Sequence, residues 1–224
     1  VAILFADTFE TGDTRRWTTQ DVVGAGSSLA VNSGAAFAGG SGMVAVCDAL
    51  DLSTARVIYG TGLTSTTSVI SISTRVRWTG ATIGTPQLYW FGLLDQAQTV
   101  RCGFGHGGGA WSIIYRNRAG GQAAVGANFT PSADTWYQME LMVDSGNPDP
   151  IYRLWVDGVM TIVETDVTAG TPIVWTVPHL GFSADAYTGT SAQTNHYDNV
   201  LVGDTYIGDA ALAVTNFPAA RGGG

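Results

Sequence analysis

The chain has 224 residues, of which 45% are hydrophobic and only 12% charged, with a formal net charge of −8. That length is enough for one large β domain with a sizeable core. All ten basic residues are arginine; without lysine a P-loop is excluded, and an acidic chain argues against a phosphate-binding face for nucleic acid.

Taken in chain order, short apolar runs separated by Gly, Ser, Thr and Asp predict strands. Residues 3–5 open the chain, lead into Asp7, Phe9 and Glu10, and close on Trp17. This start lacks a basic n-region and reaches Asp7 before an apolar h-region could form, so no secretory leader is expected. Cys47 and Cys102 each sit in a strand-like run, as free buried thiols or as a disulfide, and their spacing fits no zinc or CxxC pattern. Residues 48–55 read as a short helical or 3₁₀ piece.

Period-2 alternation is clearest further on. In residues 69–78, Ile70, Ile72, Val76 and Trp78 share one face, and Ser71, Ser73, Arg75 and Arg77 the other. Residues 87–94 are apolar on both faces and predict a central strand. Residues 103–109, rich in glycine, read as a loop. In residues 136–144, Tyr137, Met139, Leu141 and Val143 oppose Gln138, Glu140 and Asp144. Residues 145–150 read as a hairpin loop. Tyr152, Leu154 and Val156 alternate with Arg153 and Trp155, and Asp157-Gly158 then predicts a type I′ hairpin. The β pattern ends near residue 209, leaving 210–224 as a tail. No run approaches the ~18 apolar residues of a membrane helix, so no membrane partner is expected.

The candidates for chemistry are few. The three glutamates, Glu10, Glu140 and Glu164, form no closely spaced acid pair of the kind retaining glycosidases use, and Glu140 reads as part of a solvated face. His106, His179 and His196 are scattered, and Tyr115–Arg118 reads as an exposed strand end before a Gly-Gly turn. No nucleophile elbow occurs. Aromatics could build a sugar-stacking platform, with Trp90, Trp111, Trp155 and Trp175 beside Tyr89 and Tyr115 as candidates. The competing reading puts the tryptophans in the core, except Trp155, which lies opposite the core face of its strand beside Arg153.

The two ends carry a family resemblance. Leu4, Phe5, Asp7 and Phe9, followed by Trp17, match an opening strand; Asp198-Asn199-Val200-Leu201-Val202, then Ile207-Gly208-Asp209 and Val214, then Phe217-Pro218, match a closing one. With Trp136-Tyr137 and the Val156-Asp157-Gly158 hairpin between them, the chain resembles the laminin-G-like, concanavalin-A-like jelly-roll virion proteins of tailed bacteriophages. The resemblance departs at Asn199, where a second Asp is common, and the chain stops soon after Pro218, where relatives often continue.

The resemblance implies an all-β jelly-roll sandwich of two antiparallel sheets over residues 1–209, with first and last strands paired and a C-terminal tail at 210–224. It implies a structural calcium ion at Glu10 and Asp198, with Gly12 or Asp13 as loop contributors, and no catalytic residues. The expected function is a non-enzymatic virion structural protein on tail or capsid, in multiple copies or as a homo-oligomer. It would dock other virion proteins and touch host-surface glycan, with Trp155, Arg153 and Phe217 as contacts. The rival readings are a carbohydrate-binding module of a secreted bacterial protein, and a polysaccharide lyase or glycoside hydrolase.

Overall fold

A computed structural model describes residues 2–47, 53–59, 68–80, 88–94, 100–107, 110–126, 129–146, 148–170, 179–186 and 193–208. Fifteen strands are found among them: β1 (Ile3–Asp7), β2 (Thr19–Val23), β3 (Ser28–Asn32), β4 (Gly42–Cys47), β5 (Ser53–Tyr59), β6 (Val69–Gly80), β7 (Leu88–Leu94), β8 (Val100–Gly107), β9 (Ala110–Arg116), β10 (Gln122–Gly126), β11 (Trp136–Asp144), β12 (Ile151–Val156), β13 (Val159–Thr165), β14 (His179–Ala186) and β15 (Gln193–Gly203). They form two antiparallel sheets. Sheet A runs β13-β12-β11-β6-β15-β4-β3, with β1 also on β15; sheet B runs β10-β9-β8-β7-β14-β5-β2.

The expected pairing of the chain ends is present. Phe5 lies opposite Val202 and Asp7 opposite Val200, while β4 occupies the earlier half of the same edge of β15. The inner faces of both sheets supply one core. Ile72, Val76, Met139, Leu141, Tyr152, Leu154 and Tyr197 come from sheet A, and Val57, Phe91, Leu93, Phe104, Ile113 and Phe182 from sheet B. A register shift between Tyr89 and Phe91 bulges β7. It lets the consecutive rings of Trp90 and Phe91 both enter the core, against Trp111 at 4.3 Å and Phe182 at 5.8 Å. The hairpin at Asp157-Gly158 takes positive φ at both residues, 48° and 77°, as a type I′ turn requires.

Three local expectations are corrected. Residues 103–107 are strand, not loop: β8 carries Cys102 and Phe104 inward and leaves its glycines on the outer face. Gly92 stands between Gly181 and Gly103 on neighbouring strands. A Cβ there would lie 2.5 Å from the Cys102 carbonyl, so only glycine fits this approach of two backbones. Ser53–Ala55 belong to β5 rather than to a helical piece, and 48–52 lie outside the described residues. Tyr115 is no exposed strand end: it is buried, stacked on Tyr152 at 4.4 Å, and donates its hydroxyl hydrogen to Glu164 at 3.0 Å. Cys47 and Cys102 are both buried free thiols, on strands of different sheets.

Candidate functional site

Polar and aromatic side chains converge on the outer face of sheet A. Register sets them in two rows. Trp136, Arg77 and His196 stand side by side on β11, β6 and β15; one step along, Gln138, Arg75 and Asp198 do the same. A short 3₁₀ turn at Ser33–Ala35 completes the surface. Asn32 caps it, its side-chain oxygen accepting the Ala35 N–H at 3.1 Å. The turn carries Phe37 onto the sheet, where the Phe37 N–H donates to Asp198 at 2.9 Å and Arg77 donates to the Gly34 carbonyl at 3.0 Å.

The rings and cations interlock. Phe37 meets Trp136 edge-on at 5.8 Å, and His196 meets Trp136 at 6.4 Å. The Arg75 guanidinium lies 4.3 Å from the Phe37 ring centre, and that of Arg77 lies 5.1 Å from Trp136. Phe37 keeps 39% of its surface exposed, and Trp136 is half-buried. Arg77 Nε and His196 Nδ1 are buried with no hydrogen-bond partner. Burial, then the neighbouring Arg77 charge, lowers the His196 pKa from its ordinary value. Rings beside donors on one partly exposed face are the ingredients of a sugar contact.

The sequence reading missed this surface. It put Trp136 among the core tryptophans; Trp17, Trp78, Trp90 and Trp111 are indeed buried, but Trp136 stands on the outer face. The outward pair Arg75 and Arg77 was visible in the alternation. Its partners come from β11, β15 and the turn after β3, far apart in sequence, and only register aligns them.

Trp155 and Arg153 lie further along the same face, beside Glu140 and Met142. Trp155 is half-buried rather than open, with the Tyr206 ring 4.5 Å away. Glu140 is not solvated. It is 4% exposed, because residues 204–208 fold over it and the N–H groups of Ile207 and Gly208 donate to its two oxygens at 2.6 and 2.9 Å. Phe217, Trp175 and the 210–224 tail lie outside the described residues.

Glu10 and Asp198 are brought together beside the aromatic surface. Asp198 is buried, and its two oxygens accept the N–H groups of Phe37 and Asn199. Burial pushes its pKa up to about 6; Glu10 raises it further, while the two N–H donors and Arg75 oppose the rise. Glu10 accepts the Ser41 N–H at 3.1 Å, and its carboxylate fills the space a Cβ at Gly40 would need. Asn199, Gly39 and Gly40 all have positive φ. Each carboxylate oxygen of Asp198 retains a lone pair beyond its N–H contact, but two carboxylates supply only part of the roughly 6–8 oxygen ligands that a calcium ion takes. Among the described residues no third His, Cys, Asp or Glu joins the pair. Asp13 is engaged elsewhere, in an ion pair with Arg15 at 2.7 Å.

The outer face of sheet B differs. Ile58, Leu94, Ser112 and Ile114 are all buried on it. Alternation along the strands adds Arg101 and Arg116, and Asp21 there is paired with Arg56 at 2.8 Å.

No family model matches the chain, and neither does any curated protein. Solved structures do. An endo-β-1,4-glucuronan lyase from the fungus Trichoderma reesei superimposes with a TM-score of 0.72 at 14% identity, over 92% of this chain and 98% of that one. Cip1, a cellulose-induced protein, gives 0.69 at 15% identity, over 91% and 99%. Botulinum neurotoxin type C, whose cell entry depends on interaction with two ganglioside molecules, gives 0.57 at 10%, over 84% of this chain and 46% of that one. At such identities the likeness shows the fold, a concanavalin-A-like β-sandwich of two antiparallel sheets, shared with carbohydrate-active enzymes and glycan-binding domains.

Proposed function

We propose that this protein is a non-enzymatic, glycan-contacting structural module, displayed in multiple copies on the tail or capsid of a bacteriophage virion. The glycan contact is carried by the Phe37–Trp136 pair with Arg75, Arg77 and His196 on the outer face of sheet A. Two carboxylates on that face, Glu140 and Asp198, each hold two backbone N–H groups, an arrangement suited to structure rather than to proton transfer. The virion assignment rests on the resemblance of the two chain ends. Glu10 and Asp198 would hold a structural calcium ion beside the glycan surface, with loop carbonyls and water completing its shell.

The test is retention on a glycan array. Binding should be weakened several-fold by Phe37→Ala and by Trp136→Ala, on the order of 1 kcal/mol per ring. Equal retention by wild type and both variants would remove the glycan surface from sheet A. A second reading, a polysaccharide lyase, is favoured by the match to the glucuronan lyase. Incubation with polyuronates separates the two: unsaturated ends absorbing in the ultraviolet would establish the lyase and end the non-enzymatic reading.

A further inference from the structure

The outer face of sheet A carries two arginines whose charge no carboxylate answers. Arg75 and Arg77 stand two residues apart on β6, so both point to that face, and both are half-buried. Three other arginines are answered within the chain: Arg15 pairs with Asp13, Arg56 with Asp21 and Arg118 with Asp149. Neither Arg75 nor Arg77 has such an ion pair among the described residues. Arg77 donates to the Gly34 carbonyl at 3.0 Å, and its buried Nε has no acceptor. The Arg75 guanidinium donates to no described residue; it is held over the Phe37 ring, 4.3 Å from the ring centre.

The acidic groups nearby are engaged by backbone donors. Asp198, beside Arg75 in register, accepts the N–H groups of Phe37 and Asn199, and Glu10 accepts the Ser41 N–H. His196, beside Arg77, adds a ring but little charge, because burial lowers its pKa. The positive charge of this face therefore rests on two guanidinium groups, both set against the rings of Phe37 and Trp136.

We propose that the glycan bound on this face is an acidic one, a sugar whose carboxylate or sulfate is held by Arg75 and Arg77 while its ring lies against Phe37 and Trp136. This rests on the glycan reading of the same surface and adds the class of sugar. A guanidinium is a donor only, stays charged at any working pH, and pairs two N–H groups at a time with the oxygens of an oxyanion. A sugar hydroxyl could accept one such bond, but only an anion also balances the charge. Stacking on a ring holds the planar fork in place before the ligand arrives. The net charge of −8 works against any anion at long range. Selection must therefore come from the two arginines at short range, within about 10 Å at 0.1 M salt.

A glycan array of matched pairs tests it, each acidic glycan printed beside its carboxyl-reduced or desulfated counterpart. Wild type should retain the acidic member of a pair and release it as salt is raised. Arg75→Gln should weaken that retention about tenfold or more. Since Arg75 donates to no described residue, this change removes no described hydrogen bond of the fold. Arg75→Lys, which keeps the charge without the fork, should fall between the two. Arg116→Gln, on the outer face of sheet B, should bind as wild type does. Carboxylated and sulfated arms both support the assignment, and the stronger of them names the oxyanion. Equal retention of acidic and neutral members overturns the acidic-sugar assignment and leaves the glycan surface standing. So does acidic retention that survives both Arg75→Gln and Arg77→Gln. Retention of no glycan at all overturns both readings. Should Arg77→Gln misfold by circular dichroism, Arg75→Gln decides alone.

Discussion

Asp7 shows what the opening signature is for. Its carboxylate is buried between two donors, the Phe9 N–H and the Trp17 indole N–H, each at 2.8 Å. Phe9 reaches this position with φ of 57°, and its ring lies parallel to Trp17 at 6.2 Å. The spacing of Asp7, Phe9 and Trp17 is therefore one hydrogen-bonded unit at the entrance to the core. Burial raises the Asp7 pKa, outweighing the two donors and Arg16, which lower it. A carboxyl raised on folding stabilises most when protonated. Its contribution is complete below the unfolded value of about 3.9 and is lost as pH rises through the folded value. Asp7→Asn removes that titration and turns an amide N–H toward the indole donor, at a cost of roughly 1–3 kcal/mol. In urea titrations, the stability gap between wild type and Asp7→Asn should be widest near pH 4 and narrow toward pH 7. A gap that widens with pH would show that the hydrogen bonds, not burial, govern this carboxyl.

At the scale of elements, what was legible depended on how local the cause was. The Asp157-Gly158 hairpin is specified by two residues that tolerate positive φ, and it forms where expected. The alternation in residues 69–78 and 136–144 gave the correct inward faces, because a half-buried strand must place every second residue in the core. The glycines of β8 misled, since glycine marks both a loop and a strand whose neighbours approach closely. Asn199 is explained only by the fold. It sits at a register break in β15 with φ of 51°, a conformation asparagine accepts more readily than most residues. Glu140 was misread because its partners, Ile207 and Gly208, are more than sixty residues away. Those two N–H groups also account for the closing Ile207-Gly208 signature: it is a strap tied down by one carboxylate. Glu140→Ala should strand both donors and cost about 1.5–3 kcal/mol, the scale of a hydrogen bond to a charged group. Trp155 should then become more exposed, since Tyr206 leaves with the strap, and its fluorescence should shift to the red. Unchanged stability and unchanged emission would mean that the strap is held by other contacts.

For the whole molecule, the central question is how a sandwich whose first and last strands are neighbours keeps them together. β1 joins β15 over only four paired positions. Ala2 and Asp204 add two ties beyond them: the Ala2 N–H donates to the Asp204 carboxylate at 2.8 Å, and the Asp204 N–H donates to the Ala2 carbonyl at 3.2 Å. Glu10, just after β1, and Asp198, inside β15, bring two carboxylates to the same closure, which is unfavourable when both are ionised. A calcium ion there would turn that repulsion into a staple joining the start of the chain, the 39–41 loop and the final strand. Because the ion would bind the native chain and not the unfolded one, it would stabilise by mass action. Calcium at one hundred times its dissociation constant would add about 2.7 kcal/mol. For a chain of this length, each kcal/mol shifts Tm by about 2–4 °C, so chelation should lower Tm by roughly 5–10 °C. Calcium should restore it, and Asp198→Asn should melt at the lower temperature with or without the metal. If the wild type melts at the same temperature with chelator and with calcium, and elemental analysis finds no metal, the closure is held by its strands and side chains alone.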